Sequence, residues 1–243
     1  MTTPTPALDH SVIAALSALT TATISTILFK NGLHNTWMRG PKPLRAGQDR
    51  RVGRAFTLRF IPARDDLSTA AAWSSPRSTR IAVEAMPEGS VVVADAMGIT
   101  DAGIFGDILC ERMVRRGAAA LITDGVVRDA AGVNATGLPV WCQGTASPAA
   151  VVSMTFANWQ EPIGCGGVAV FPGDIVVADD DGAILIPDAF LPALLAAGPE
   201  QERLEAWILN EVRNGAALPG LYPPNAEAMA RYAAALSAKK VAE

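Results

Sequence analysis

The chain is poor in the residues that staple small folds or hold structural metals. Its three cysteines, Cys110, Cys142 and Cys165, are odd in number, far apart and without a CxxC pair, which excludes a disulfide framework or a zinc knuckle and suits a reducing cytoplasm. Positive charge is scarce as well: 20 Lys and Arg face 24 Asp and Glu, so no global field gathers nucleic acid or an anionic membrane surface. The basic cluster Arg112, Arg115 and Arg116 falls at helical spacing and reads as a solvated helix end. No apolar run approaches the ~18 residues of a membrane span, and the opening residues Met1 to Ala7 lack the basic region and apolar run of a signal peptide. A cytoplasmic protein with no membrane or nucleic-acid partner is expected.

Two further shortages narrow the chemistry. The four lysines, Lys30, Lys42, Lys239 and Lys240, all lie away from the central strands where a desolvated Schiff-base amine would sit, which disfavours covalent aldol chemistry. Only His10 and His34 are present, both ahead of the chemistry-bearing segments, so a Ser-His-Asp triad has little support. No glycine-rich cofactor loop follows a first strand, which removes support for methyl transfer.

What is abundant is apolar surface: half the residues are hydrophobic and 18% are charged, enough to bury a core across one domain spanning 1–243. Apolar spacing predicts two short helices from Asp9 to Phe29, divided at Thr20-Thr21 and stopped by Asn31-Gly32. A strand near Gly53 to Ile61, a helix near Arg77 to Ala85 and a strand Ser90 to Asp95 follow, then a helix Phe105 to Arg116 ended by Gly117 and a strand Ala118 to Asp124. Shorter strands are expected at Pro139 to Cys142, Gly167 to Phe171, Ile175 to Ala178 and Ala183 to Ile186. A long amphipathic helix from Ala189 to Asn214 is broken at Pro219 to Pro224 and followed by an Ala-rich helix from Ala226 to Lys240. The stretch Pro62 to Thr79 has no periodicity and reads as a long loop, either a lid or a local insertion.

The chemistry concentrates in two segments. Phe105-Gly106-Asp107-Ile108-Leu109 carries one carboxylate where a glycine-containing loop enters a helix, and after twenty intervening residues Arg128-Asp129 closes a strand end. The amides of Ile108 and Leu109 at a helix start suit an anion; Arg128 offers a planar fork and Asp129 a hard oxygen for Mg²⁺ or Mn²⁺. The plainer alternatives are that Asp107 caps its helix and that Arg128-Asp129 is a surface ion pair. Together the segments point to a metal ion and a small acid held side by side. Gly164-Cys165-Gly166-Gly167 lacks a phosphate-loop spacing and reads as a tight turn, and Asp179-Asp180-Asp181-Gly182 reads as a hairpin turn.

These residues resemble the family of RraA-like ribonuclease regulators and 4-hydroxy-4-methyl-2-oxoglutarate aldolases. The resemblance rests on Gly106 to Leu109, Asp124 to Asp129, and Pro172-Gly173-Asp174 leading into Asp179 to Gly182, and covers about residues 10–215, leaving 216–243 as a helical extension. It implies an α/β fold with a central, partly barrel-like β layer flanked by helices, assembled as a homotrimer or homohexamer. It implies a Mg²⁺- or Mn²⁺-dependent lyase that releases pyruvate from a 4-hydroxy-2-oxo acid and decarboxylates oxaloacetate as a side activity. Asp129 would then bind the metal, Asp107 would hold a water on it, and Arg128 would bind the 2-oxo acid and steady the enolate. Gly106 and the Ile108 and Leu109 amides would receive its carboxylate, and Glu205 would come from the adjacent subunit, with Glu202 one turn away. Thr26 stands where relatives commonly carry an acidic residue, and the loop Pro62 to Thr79 and the tail Gly220 to Pro224 are longer than in the compact regulators, which leaves both the methyl-branched diacid and a 2-oxo-3-deoxy sugar acid open as substrates. The alternative within the family is a noncatalytic regulator that binds a ribonuclease.

Overall fold

In the computed structural model, which describes residues 6–242, the chain begins with two short helices, α1 (His10–Ser17) and α2 (Thr21–Lys30). Residues 1–5, which carry most of the segment read for a signal peptide, and residue 243 lie outside the described part. The helices divide where expected because Thr20 is an N-cap: its hydroxyl accepts from the Thr23 amide at 3.1 Å. Gly32, at φ +85°, then turns the chain out of α2.

Eleven strands follow, most of them in one sheet. Strands β1 (Trp37–Met38) and β2 (Lys42–Pro43) are two-residue pieces, and β3 (Arg51–Pro62) is the long central strand. After α3 (Thr79–Ala85) come β4 (Val91–Asp95), α4 (Asp107–Arg115), β5 (Ala120–Thr123), α5 (Ala130–Ala135) and β6 (Val140–Cys142). Next are β7 (Met154–Trp159), the hairpin β8 (Ile163–Cys165) and β9 (Val168–Val170), and the hairpin β10 (Ile175–Asp179) and β11 (Gly182–Ile186). The chain finishes with α6 (Leu191–Arg213) and α7 (Ala226–Ala242).

The strand order β1-β11-β10-β3-β4-β5-β6-β2 has β3 to β6 parallel and the flanking pairs antiparallel. Its first and last members, β1 and β2, are joined by residues 39–41 alone, so the sheet curls into a nearly closed ring, the partly barrel-like layer expected. Alternation along each strand then divides the core in three. Val91, Val93, Ala120, Ile122, Trp141, Val176 and Ala178 face inward and pack on the hairpin β8–β9, which plugs the ring. Val92, Ala94 and Leu121 face outward onto Val83, Cys110 and Met113 of α3 and α4. Val52, Ile175, Val177, Ile184 and Ile186 pack on α1, α2 and Leu194 of α6.

Three polar contacts brace the ring and its helices: one joins the ring to α2, one joins α6 to the start of α2, and one crosses the ring. The buried Asp179 carboxylate accepts from the Thr21 amide at 2.8 Å and hydroxyl at 2.7 Å and lies 3.6 Å from Arg50. Glu202 accepts from the Thr20 amide at 2.7 Å and its hydroxyl at 3.0 Å. Inside the ring, Trp141 donates its indole N–H to the Asp179 carbonyl at 2.7 Å.

The hairpin turns at Asp179 to Gly182 and at Gly166-Gly167 are as read from sequence, with Gly166 and Gly167 both at positive φ. The differences are specific. Strand β3 extends to Arg51 and Pro62; α3 begins at Thr79, capped by Ser78, rather than at Arg77. A 3₁₀ turn, Asp188–Phe190, precedes α6. Strands β1, β2, β7 and β8 and helix α5 had no counterpart in the sequence reading; β8 takes Gly164 and Cys165, which were read as part of the turn, so the turn itself is Gly166-Gly167. Among the described residues no single helix is long and apolar enough to cross a membrane.

Because Trp141 is fully buried and bridges two sides of the ring, Trp141→Ala is expected to cost about 3–5 kcal/mol. Urea unfolding followed by circular dichroism checks it.

Candidate active site

Parallel pairing brings the two chemistry-bearing segments together. Beyond the ends of β4 and β5 the chain continues as irregular extended backbone, and the two continuations stay zipped. The Ile104 amide donates to the Val126 carbonyl and the Arg128 amide to the Phe105 carbonyl, both at 2.9 Å. The twenty residues between Asp107 and Arg128 are therefore one helix-strand unit, α4 and β5, that returns the chain to its own neighbour. The carboxyl ends of parallel strands are where such folds place ligands.

Gly106, Asp107, Ile108, Leu109, Arg128 and Asp129 all line one cavity of about 720 Å³. Asp129 sits at φ 54°, ψ 46°, a left-handed conformation at the start of α5, which for a non-glycine residue costs on the order of 1–2 kcal/mol. Its carbonyl accepts the first bond of α5, from Val133 at 2.9 Å, which frees its side chain. Oδ2 accepts from Arg128 Nε at 3.1 Å, with both side chains about two-fifths exposed. The ion pair considered from sequence is thus present and partly exposed, and both of its residues line the cavity.

Two glycines make room for the carboxylates. A Cβ on Gly106 would stand 2.5 Å from Asp129 Oδ2, and one on Gly132 would stand 2.7 Å from Asp107 Oδ2. Gly132 was not singled out from sequence, although its place three residues into the helix after Asp129 is a readable signal.

Asp107 is not the N-cap of α4. Gly106 holds that position and Asp107 lies in the first turn, its Oδ1 accepting from the Ile108 amide at 2.7 Å. The Ile108 N–H expected to be open is thus occupied by its neighbour's side chain, whereas the Leu109 N–H has no acceptor among the described residues, as helix geometry leaves it.

The remaining walls come from elsewhere. Phe60 of β3 and Met154, Thr155, Phe156 and Ala157 of β7 form one side, with Phe60 edge-on to Phe105 and Phe156. The loop 62–79, including a 3₁₀ turn Ala70–Ser74, forms another and is tied down where Ser68 and Thr155 share a hydroxyl hydrogen bond. Whether read as a lid or as a local insertion, the loop lines the cavity.

Glu205 does not line the cavity of its own chain. It lies on α6 and accepts from Gln201 at 2.7 Å. Its neighbour Glu202 is committed to capping α2, which leaves Glu205 the freer of the two.

Asp124 of the recognised motif is structural: buried at the end of β5, it accepts from the amides of Ala96 at 2.8 Å and Gly166 at 3.1 Å. Burial pushes its carboxyl above the usual range, and those amides pull partly against it.

Among the described residues no group of three or more His, Cys, Asp or Glu side chains could enclose a metal. The oxygens present nevertheless suit Mg²⁺ or Mn²⁺, since Mg²⁺ keeps several waters and is bound through one or two carboxylates rather than an all-protein cage. Asp129, with Asp107 beside it, provides that.

These features define a member of a known family. The RraA-like family (Aldolase/RraA) matches residues 21–185, more than half the chain, and the chain belongs to it. It is 39% identical over 104 residues, 43% of the chain and 49% of the relative, to a proposed 4-hydroxy-4-methyl-2-oxoglutarate aldolase of Halalkalibacterium halodurans. It is 32% identical over 147 residues to protein DlpA of Legionella pneumophila, covering 60% of the chain and 23% of DlpA. The chain thus spans half or less of the length of these curated relatives. Among solved structures it is similar to Streptomyces coelicolor RraAS2, described as an unusual member of the RNase ES inhibitor RraA family, at TM-score 0.75 and 31% identity over 85% of this chain and 98% of that one. An uncharacterized protein of Pseudomonas syringae pv. tomato, 24% identical, shares the fold at TM-score 0.75, over 91% of this chain and all of that one.

Two outcomes follow. Gly106→Ala should displace the Asp129 carboxylate and lower Mn²⁺ affinity about 10-fold or more with little change in Tm, as read by calorimetry and thermal unfolding. Burial pushes the Cys110 thiol up to about 12 and raises Cys142 and Cys165. At pH 8 all three thiols, buried and shifted upward, stay protonated, so Ellman's reagent should label none in the native protein and three after denaturation.

Proposed function

We propose that this chain is a divalent-metal-dependent carbon-carbon lyase that cleaves a 4-hydroxy-2-oxo acid to pyruvate and also decarboxylates oxaloacetate. The observation that carries the reading is the convergence of Asp107, Arg128, Asp129 and the start of α4 on one cavity. The likeness to the Halalkalibacterium protein supports it.

Asp129 would hold Mg²⁺ or Mn²⁺, which supplies Lewis-acid stabilisation of charge developing on the 2-oxo group. Arg128 contributes the same electrostatic support from the protein. Its Nε is turned to Asp129, and the outer nitrogens of its fork are available to the substrate's carboxylate and oxo oxygen. The Leu109 amide, with Gly106 beside it, receives the other edge of that carboxylate, and the Ile108 amide joins it once Asp107 turns away. Asp107 then accepts the proton of the 4-hydroxyl as the carbon-carbon bond breaks, and returns one to the enolate carbon. Decarboxylation of oxaloacetate passes through the same enolate: the carbon-carbon bond to the departing carbon dioxide breaks, and the enolate carbon takes a proton that comes from water, delivered through Asp107.

Assembly as a homotrimer or homohexamer would bring Glu205 of a neighbouring copy to the cavity, to share in proton handling. The side chain of Ile108, 81% exposed at the cavity, is an apolar surface that such a neighbour would cover. The second reading, a noncatalytic regulator of a ribonuclease, draws on the similarity to RraAS2. It gives no role to a left-handed, partly exposed Asp129 facing a cavity.

Pyruvate release from a panel of 4-hydroxy-2-oxo acids and oxaloacetate should require Mg²⁺ or Mn²⁺ and cease with EDTA. Asp129→Ala should abolish it with the circular dichroism spectrum retained, and Arg128→Lys should lower kcat/KM on the order of 10²-fold. No release from any member by the wild type, together with capture of a ribonuclease in a pull-down, would favour the regulator. In trans, Asp129→Ala and Glu205→Gln variants, each inactive alone, should recover activity when refolded together, because hybrid assemblies contain intact sites.

A further inference from the structure

We infer that Arg77, on the loop 62–79, is a specificity-determining residue that binds a second, distal carboxylate of the substrate. The inference rests on the lyase reading for the near end of the cavity and names the substrate class: 2-oxo acids that carry a second anionic end.

The argument is one of charge. Three arginines line the cavity: Arg77, Arg80 and Arg128. Arg128 is paired with Asp129, and Arg80 lies over the Trp73 ring, 5.3 Å from its centroid. The Arg77 guanidinium has neither a carboxylate within 4.0 Å nor a hydrogen-bond acceptor among the described residues. The one acid on the same wall, Asp66, is already held by Arg64, at 2.7 Å and 2.9 Å.

Where the loop meets α3, Arg77 and Arg80 line the cavity with no carboxylate left to offset them, since Asp66 is held by Arg64. The wall formed by α4 and the Arg128-Asp129 turn, with two carboxylates against one guanidinium, is net negative. A cation belongs at the second and an anion at the first. The cavity, about 720 Å³, is of the size that accommodates drug-sized ligands and far exceeds the needs of a three-carbon acid. The same cavity is lined by Leu67, Ala72 and Trp73 together with several hydroxyls, and Arg77 is exposed, so its guanidinium is open to an incoming carboxylate. The planar fork of arginine matches a carboxylate in a way a neutral polyol end does not. That favours the diacid over the 2-oxo-3-deoxy sugar acid among the two substrate types the sequence left open.

The test separates this inference from the lyase reading by using ligands that do not react. Binding of 2-oxoglutarate and of 2-oxopentanoate, equal in chain length and differing in the distal carboxylate, is measured by calorimetry in Mg²⁺ for the wild type and for Arg77→Gln. The wild type should prefer 2-oxoglutarate about 10-fold or more, and Arg77→Gln should reduce the ratio to about one through loss of 2-oxoglutarate affinity. Equal affinities in the wild type, or a preference that survives Arg77→Gln, would overturn the inference. Failure to release pyruvate from any 4-hydroxy-2-oxo acid would overturn the lyase reading while leaving this binding ratio to decide the role of Arg77.

Discussion

The structure turns on the close approach of two backbone segments beyond the ends of β4 and β5. The bond from the Arg128 amide to the Phe105 carbonyl fixes their separation, and Gly106 lets the Asp129 carboxylate come within a distance no Cβ would tolerate. A helix start, a guanidinium and two carboxylates reach one cavity because of that contact. The ring of strands, its hairpin plug and the helices packed outside it serve to hold the two strand ends in register.

Cost and placement of polar groups separate structure from chemistry. The buried Asp179 and Asp124, and the half-buried Glu202, are each satisfied by amides or hydroxyls of named partners. Asp129 is different: it accepts a strained backbone, leaves its helix uncapped by its side chain and faces an open space with one partner. Strain retained where a polar group faces a cavity motivates a functional reading rather than a structural one. Asp107 and Arg128 share that setting.

Much of this was legible in the residues. Parallel strands buried on both faces, such as Val91 to Asp95, announce themselves as short β-branched runs, and Thr20 and Gly117 mark the start of α2 and the end of α4 by known cap and turn chemistry. Helix α5 escaped notice because Ala130 to Ala135 contains Gly132 and Asn134 and has little helical propensity of its own; it forms because Asp129 starts it and α4 packs beside it. Strand β7 was missed because Met154 to Trp159 is mixed in polarity, and its conformation is set by pairing with β3. In the site, the spacing of Asp107, Arg128 and Asp129 was readable, whereas the room Gly106 leaves for the Asp129 carboxylate was not, since it depends on how the two segments pack. The occupation of the Ile108 amide by Asp107 was not, since a carboxylate's choice between its own helix and the cavity depends on side-chain rotation. Glu205 depends on a neighbouring copy and lies outside what one chain can place.

The central claim is that a hydrated cation and a 2-oxo acid share the space between Asp129 and Arg128. Its most direct measurement is a crystal structure of the protein grown with Mn²⁺ and oxalate, with anomalous scattering recorded from the manganese. The account predicts one anomalous peak in contact with the Asp129 carboxylate and oxalate bound between it and the Arg128 guanidinium. Manganese bound elsewhere, or oxalate absent from that cavity while Arg128 and Asp129 stay paired to each other, would contradict it.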